Sequence, residues 1–258
     1  MREVHYTAPM LGSIAAAGAV LLGAGGYMYA GIAPGSQIFG RTLVAGNDPD
    51  EFALTYDDGP NDACTEALLE VLARHEVQAT FFMIGRFARE RAELVRRVRA
   101  AGHVVGNHTW THPVLLLKSP AKVREELTAT NKALEDILGE RVEYFRPPFG
   151  ARRPDVLRTA RELGMVPVMW NAMGYDWKPT TAEQVRKNLA RGIARNRQRG
   201  VGSNLLLHDG GQAGIGEDRW HTVKATADLL EEWKGRVRFV TVAGLAVQAT
   251  APSAPVAD

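Results

Sequence analysis

From residue 51 onward the apolar positions of the chain switch repeatedly between two periods. Short runs, alternating or continuous in apolar residues, fall at residues 52–56, 79–84, 103–107, 143–146, 166–170, 204–208 and 237–242, and each predicts a strand. Between them the spacing changes to three and four, which predicts helices over 63–75, 87–101, 120–138, 154–163, 181–196 and 220–233, several opened by Ser, Thr or Pro and closed by Gly. Strand–helix alternation of this kind builds a parallel sheet with right-handed crossovers. Seven such units in about 200 residues suit an α/β barrel, complete or not, better than an open sheet.

Ahead of that domain the pattern is different. Residues 8–33 are nearly uncharged and rich in Ala, Gly, Leu and Val, a length that suits a membrane-spanning helix. Many glycines, the Pro34-Gly35 stop and the near-cancellation of Arg2 by Glu3 weaken that pattern. Two alternatives therefore stay open: a cleaved signal peptide, for which Met28-Tyr29-Ala30 is a poor cleavage site, and a Gly/Ala-rich helix packed on a soluble domain. The expected division is an N-terminal hydrophobic segment at 1–33 (anchor or signal), a Gly- and Pro-containing linker at 34–50, the α/β domain at 51–248 and a disordered Ala/Pro-rich tail at 249–258. An anchor would hold the domain in the cell envelope at the membrane; a cleaved signal would release it as a secreted protein.

Composition changes this picture little. With 258 residues, 45% hydrophobic and 23% charged, the chain is ordinary for a globular protein, and a net charge of +2 is too mild to argue for nucleic acid; with no nucleic-acid-binding signature, no nucleic-acid partner is expected. The helix carrying Arg86, Arg89, Arg91, Arg96, Arg97 and Arg99 also holds Glu90 and Glu93, and reads as a solvated face. Cys64 is the only cysteine, which rules out an intrachain disulfide and a thiolate metal site; at the start of an apolar-periodic helix it reads as structural.

Candidate chemistry collects at the C-terminal ends of the strands, the mouth where parallel α/β folds keep their active sites. The first strand ends in Thr55-Tyr56-Asp57-Asp58-Gly59-Pro60. Taken alone this is a common solvated turn; at a buried strand end, adjacent carboxylates are tolerated if one ligates a cation and the other serves as a base. The third strand is followed by His108 and His112, with Pro113 disfavouring helix at His112, so both imidazoles sit on a loop and can still turn inward. Two histidines and a carboxylate make a three-ligand metal set with one position open, and Asp58 lies at the same mouth. After the fourth strand Arg146 precedes Pro147-Pro148-Phe149, a cation on a stiff backbone able to orient a carboxylate. Beyond the fifth, Tyr175-Asp176-Trp177 sets an acid between aromatics suited to stacking on a sugar, and the sixth ends in His208, placed to serve as a general acid.

In this order, across residues 52–242, these five motifs resemble the NodB-homology polysaccharide deacetylases, carbohydrate esterase family 4. The resemblance implies a distorted (β/α)7-type barrel and one divalent metal ion, usually Zn2+ with Co2+, Mn2+ or Ni2+ as alternatives, held by Asp58, His108 and His112. It implies Asp57 as general base, Arg146 positioning Asp57, the Phe149 backbone N–H at the oxyanion, His208 protonating the departing amine and Asp176 tuning His208. Tyr175 and Trp177 would meet the substrate. The reaction implied is metal-dependent hydrolysis of the N-acyl amide, N-acetyl foremost, of an amino sugar in a cell-envelope glycan or glycolipid. Alternatives are the same machinery on another C–N bond, such as a formamide or a lipid-linked sugar, and a glycan-binding module without catalysis. Tyr56 stands where Phe is usual and Phe149 where Tyr is usual, neither of which threatens the chemistry. Met173 stands where the family often has an additional Asp, and Tyr175 where it often has Arg, so the pocket wall is less polar and substrate choice is affected more than the reaction.

Overall fold

The computed structural model describes residue 23 and residues 25–250. The readings of residues 1–22 and of the tail from 251 lie outside the described residues, and the Val242–Thr250 helix carries the chain two residues past the expected start of that tail. Among the described residues no helix is long and apolar enough to cross a membrane.

Among the described residues eight strand segments form one sheet: β1 Glu51–Gly59, β2 Thr80–Met83, β3 Val104–Asn107, β4 Tyr144–Phe145, β5 Val166–Pro167, β6 Ala172–Met173, β7 Ser203–His208 and β8 Arg238–Val240. Every pairing is parallel, in the order β5-β4-β3-β2-β1-β7-β6, with β8 beside the start of β1. The run expected as one fifth strand is divided. Its first part, β5, bonds β4, while its continuation, β6, bonds β7, so one extended stretch curls the parallel sheet round on itself. Where ladder pairing lapses between the two, side chains take over: Arg146 Nη2 and Asn204 Nδ2 donate to the Met169 carbonyl at 3.1 and 2.8 Å. The alternation predicts a barrel, complete or not, and the family resemblance a distorted one; the curled parallel sheet is of that kind.

β1 is buried along its whole length because it is flanked on both edges, by β7 on one side and by β8 and then β2 on the other. Its register sets Asp57 opposite His208 on β7, so the first and last motifs meet by backbone pairing alone. The helices cover the outside. Pro120–Leu138 starts at Ser119, which accepts from the Lys122 N–H at 3.2 Å, and stops at Gly139 in the left-handed region (φ 71). Ala182–Gln198 is capped in the same way by Thr181.

Three local features differ from expectation. The helix expected at 87–101 breaks at Arg91 (φ −123, ψ 41) into Gly85–Glu90 and Ala92–Ala100, with no Gly or Pro to signal it. The strand expected at 237–242 ends at Val240, and Val242 opens a helix whose Val242 and Leu245 pack with Leu43, Ala53 and Phe82. Residues 34–50 are laid along the barrel: Leu43 bridges Val168, Gly202 N–H donates to the Gly46 carbonyl at 3.0 Å, and Arg152 Nη2 holds the Ala33 and Ser36 carbonyls at 2.8 and 2.7 Å.

Candidate active site

Strained backbone marks the mouth of the barrel. Among the described residues six non-glycine residues have positive φ, and five of them, Asp58 (72), Thr109 (67), His112 (61), Phe149 (58) and Tyr175 (57), belong to the strand-end motifs. Such conformations cost on the order of 1–3 kcal/mol each and persist where the surroundings hold them in place. In a regular strand Asp57 and Asp58 would face opposite sides. With Asp58 turned left-handed, both acids line one cavity of about 450 Å³ together with His108, His112, Phe149, Tyr175, Trp177 and His208.

Asp58, His108 and His112 offer ligand atoms that all lie within 4.8 Å of one another, and all three residues are buried. Asp58 Oδ1 is 3.4 Å from His108 Nε2 and 3.0 Å from His112 Nε2. The other nitrogen of each ring is engaged: His108 Nδ1 with the Arg146 carbonyl at 2.8 Å, His112 Nδ1 with Gln212 Oε1 at 2.7 Å. Oxygen acceptors there require Nδ1–H, so each neutral ring turns the lone pair of Nε2 toward Asp58. The buried Oδ1 then has no hydrogen-bond partner. Three electron-pair donors converging on one point fit a cation, and a set of two imidazoles and one carboxylate leaves a position open for water or substrate. Burial raises the Asp58 carboxyl; hydrogen-bond donation and positive charge facing it from His108 and His112, a role a cation held between the three groups would take over, outweigh that and hold it well below the ordinary value.

Asp57 is separated from this group by Arg146. The guanidinium is completely buried and donates from Nη1 to Asp57 Oδ1 and to Thr55 Oγ1, both at 2.8 Å. It lies 4.2 Å over the Phe82 ring. Burial pulls its pKa down and the Asp57 charge opposes that. Asp57 is therefore fixed through one oxygen, and its Oδ2 lies 3.8 Å from His108 Nε2.

Across the cavity, Asp176 accepts from the His208 backbone N–H at 2.7 Å and, through its other oxygen, from His208 Nδ1 at 2.8 Å. Thr222 Oγ1 adds a third bond at 2.7 Å. Burial opposes the charged imidazole, yet Asp176 more than reverses it and His208 is raised to about 9. With Nδ1 committed, Nε2 is the nitrogen left for a substrate. Trp177 packs edge-on to His208 at 5.3 Å and Tyr175 lies 5.4 Å from Trp177, both half-exposed on the rim. Phe149 stands against His112 at 4.6 Å, and its backbone N–H donates to no protein acceptor among the described residues.

All ten residues singled out in the sequence thus meet at one mouth. Others there were not singled out. Gln212, on the loop after β7, orients His112. Glu126, wholly buried, accepts from the Trp110 and Thr111 N–H groups at 2.9 and 2.8 Å and so pins the turn between the two histidines. Asn61 ties the loop after β1 to the loop after β7, donating to the Asp209 and Glu217 carbonyls at 2.9 and 2.7 Å. Asp209, pushed up to about 7 chiefly by burial, lies against Gly59, where a Cβ would be 2.2 Å from its Oδ2. Glu126 interrupts the buried stripe of Val123, Leu127 and Leu134 on its helix, and that interruption was a readable signal.

A parallel α/β barrel whose mouth joins a carboxylate–bis-imidazole cation site, a separate arginine-held carboxylate and an Asp-supported histidine is the scaffold of a metal-dependent hydrolase. The polysaccharide deacetylase family model matches residues 45–168. The chain is 36% identical to a chitooligosaccharide deacetylase of Azorhizobium caulinodans over 175 residues, covering 67% of this chain and 80% of that protein. On these matches, the chain belongs to the polysaccharide deacetylase family. Among solved structures, a peptidoglycan N-acetylglucosamine deacetylase bound to an N-oxidanyl-benzamide superposes with a TM-score of 0.70 at 29% identity, covering 78% of this chain and 91% of that one. A CE4 family pseudoenzyme from Bacillus anthracis superposes with a TM-score of 0.68 at 26% identity, covering 77% and 66%. The fold is thus compatible with activity and with its loss, and the side chains at the mouth have to decide.

Proposed function

We propose that the protein hydrolyses the N-acetyl amide of an amino sugar in a cell-envelope glycan, releasing acetate and a free amine. The observation that carries this is the division between the two acids: Asp58 faces the two imidazoles, while Asp57 is held by Arg146. A divalent cation on Asp58, His108 and His112 would acidify water and polarise the amide carbonyl, and a two-nitrogen, one-oxygen set with an open position favours Zn2+ while admitting Co2+, Mn2+ or Ni2+.

The chain's own residues supply the remaining steps. Asp57 takes a proton from the attacking water as the new C–O bond forms. Arg146 keeps that carboxylate aimed. The Phe149 N–H donates to the developing oxyanion. His208, protonated at neutral pH, gives the proton on Nε2 to the nitrogen as the C–N bond breaks, and Asp176 holds Nδ1–H throughout. Tyr175 and Trp177 offer ring faces to the sugar. Metal-dependent acetate release from chitooligosaccharide and from peptidoglycan tests this reading. Release that stops with chelator and returns with added cation supports it; no release from either substrate by metal-loaded protein refutes it. Residues 8–33 would keep the enzyme at the membrane, which membrane fractionation of the full chain against a chain lacking them would test.

A further inference from the structure

A second cavity of about 530 Å³ adjoins the catalytic one, with Pro34, Trp170, Met173 and Tyr175 lining both. Its outer wall is the Ala182–Gln198 helix and the residue after it, presenting Arg191, Arg195 and Arg199 at every fourth position. These span roughly 12 Å along the helix axis. Gly192 makes the placement: a Cβ there would sit 2.6 Å from Ala172 Cβ, so only glycine lets the helix approach β6 this closely, with Arg191 and Arg195 beside the seam.

This wall differs in charge balance from the rest of its own helix. Arg186 and Arg197 on the same helix pair with Glu232 and Asp50, and Lys187 pairs with Glu183. On the Arg-rich helices elsewhere, Arg91, Arg96, Arg97 and Arg99 face Asp62, Glu93, Glu66 and Glu140, while Arg86 donates to the Gln212 carbonyl and Arg89 lies over the Trp110 ring. Among the described residues Arg191, Arg195 and Arg199 pair with no carboxylate, and no Asp or Glu lines the cavity. Arg195 gives one bond to the Asn171 carbonyl at 3.0 Å. A helix C-terminus accounts for cations in its last turn but not for Arg191, two turns earlier. Trp170, common to both cavities, also has a buried indole N–H without a partner.

Resting on the deacetylase reading of the adjoining cavity, we infer that this arginine-lined cavity is an anion subsite, and that the amino sugar hydrolysed carries a phosphate or diphosphate. Guanidinium groups bind phosphate oxygens in pairs, and three of them match a multiply charged group better than a lone carboxylate. Met173 makes the shared wall apolar, so the charged group is recognised beyond it and not at the reaction centre. The cavity opens beside Pro34 and Gly35, the first residues after the apolar N-terminal segment, which suits a sugar phosphate linked to a lipid.

The test compares kcat/KM for three N-acetylglucosamine derivatives: the neutral methyl glycoside, the soluble 1-phosphate and a polyprenyl diphosphate conjugate. Wild-type protein is set against an Arg191→Gln/Arg199→Gln variant, which loses no protein hydrogen bond. The wild type should favour the phosphates over the glycoside by on the order of tenfold or more. The preference should collapse in the variant and shrink at high salt. A higher rate on the conjugate identifies the source as lipid, and equal rates identify it as a soluble sugar phosphate. A wild-type preference below about twofold, or one the variant retains, overturns the inference. If no derivative is hydrolysed, the deacetylase reading fails separately, and calorimetry with inorganic pyrophosphate decides the subsite. Binding weakened about tenfold in the variant then supports the subsite, and no binding by wild type overturns it.

Discussion

Replacing Arg146 by Met removes the cation that holds Asp57 inside the barrel. The guanidinium is wholly buried and donates to Asp57 and Thr55 at 2.8 Å and to the Met169 carbonyl at 3.1 Å. Met keeps much of the volume, so the cavity cost is small and the electrostatic cost decides. Breaking a buried ion pair from one side costs about 3–5 kcal/mol, because the surviving charge is left without its partner. The lost stacking on Phe82 adds about 0.5–2 kcal/mol. For a domain of this size each kcal/mol moves the unfolding midpoint by about 2–4 °C, so a loss on the order of 10 °C is expected. Thermal and urea unfolding should be followed in chelator, so that no bound cation takes over the role of the guanidinium. Arg146→Met combined with Asp57→Asn should recover at least half of the loss, since the orphaned charge is then gone. A single variant within about 1 kcal/mol of wild type, or a double variant no more stable than the single, would refute the reasoning.

Two further outcomes are expected. His208 is raised from 6.5 to about 9, so the fold favours its protonated form; that contribution is complete below 6.5 and is lost as the pH climbs through 9. The unfolding free energy of the metal-free protein should accordingly fall by a few kcal/mol over that window, and Asp176→Asn should largely abolish the fall; NMR titration of His208 gives the same answer residue by residue. Gln212→Ala frees His112 Nδ1 without touching the core, so metal affinity should drop about 10–100-fold in a chelator competition while the unfolding midpoint holds, and an unchanged affinity would contradict the assigned role.

Much of this architecture was legible because periodicity reports burial. The runs at 52–56 and 204–208 read as buried strands, and they are β1 and β7, neighbours each flanked by strands on both edges. The split of β5 from β6 was not legible, since an extended run looks the same whether its two halves bond one neighbour or two. Nor was the break at Arg91, which no Gly or Pro marks and whose guanidinium grips Asp62 at 2.6 Å. At the site, residues carrying chemistry at strand ends announced themselves, while those acting through them did not. Gln212 lies 100 positions from the histidine it orients, a distance no local pattern spans. Four arginines of the stretch that stood out in the sequence, Arg91, Arg96, Arg97 and Arg99, are paired with acids in three dimensions, whereas the trio at 191, 195 and 199 is separated from ordinary surface arginines only by the cavity it faces.

The division of work between adjacent acids is the centre of the account, and metal stoichiometry measured beside acetate release tests it most directly. Asp57→Asn should retain about one equivalent of cation and lose turnover by on the order of a hundredfold or more, whereas Asp58→Asn should lose cation and turnover together. Equal loss of cation from both variants, or an Asp57→Asn protein that turns over like wild type, would contradict it.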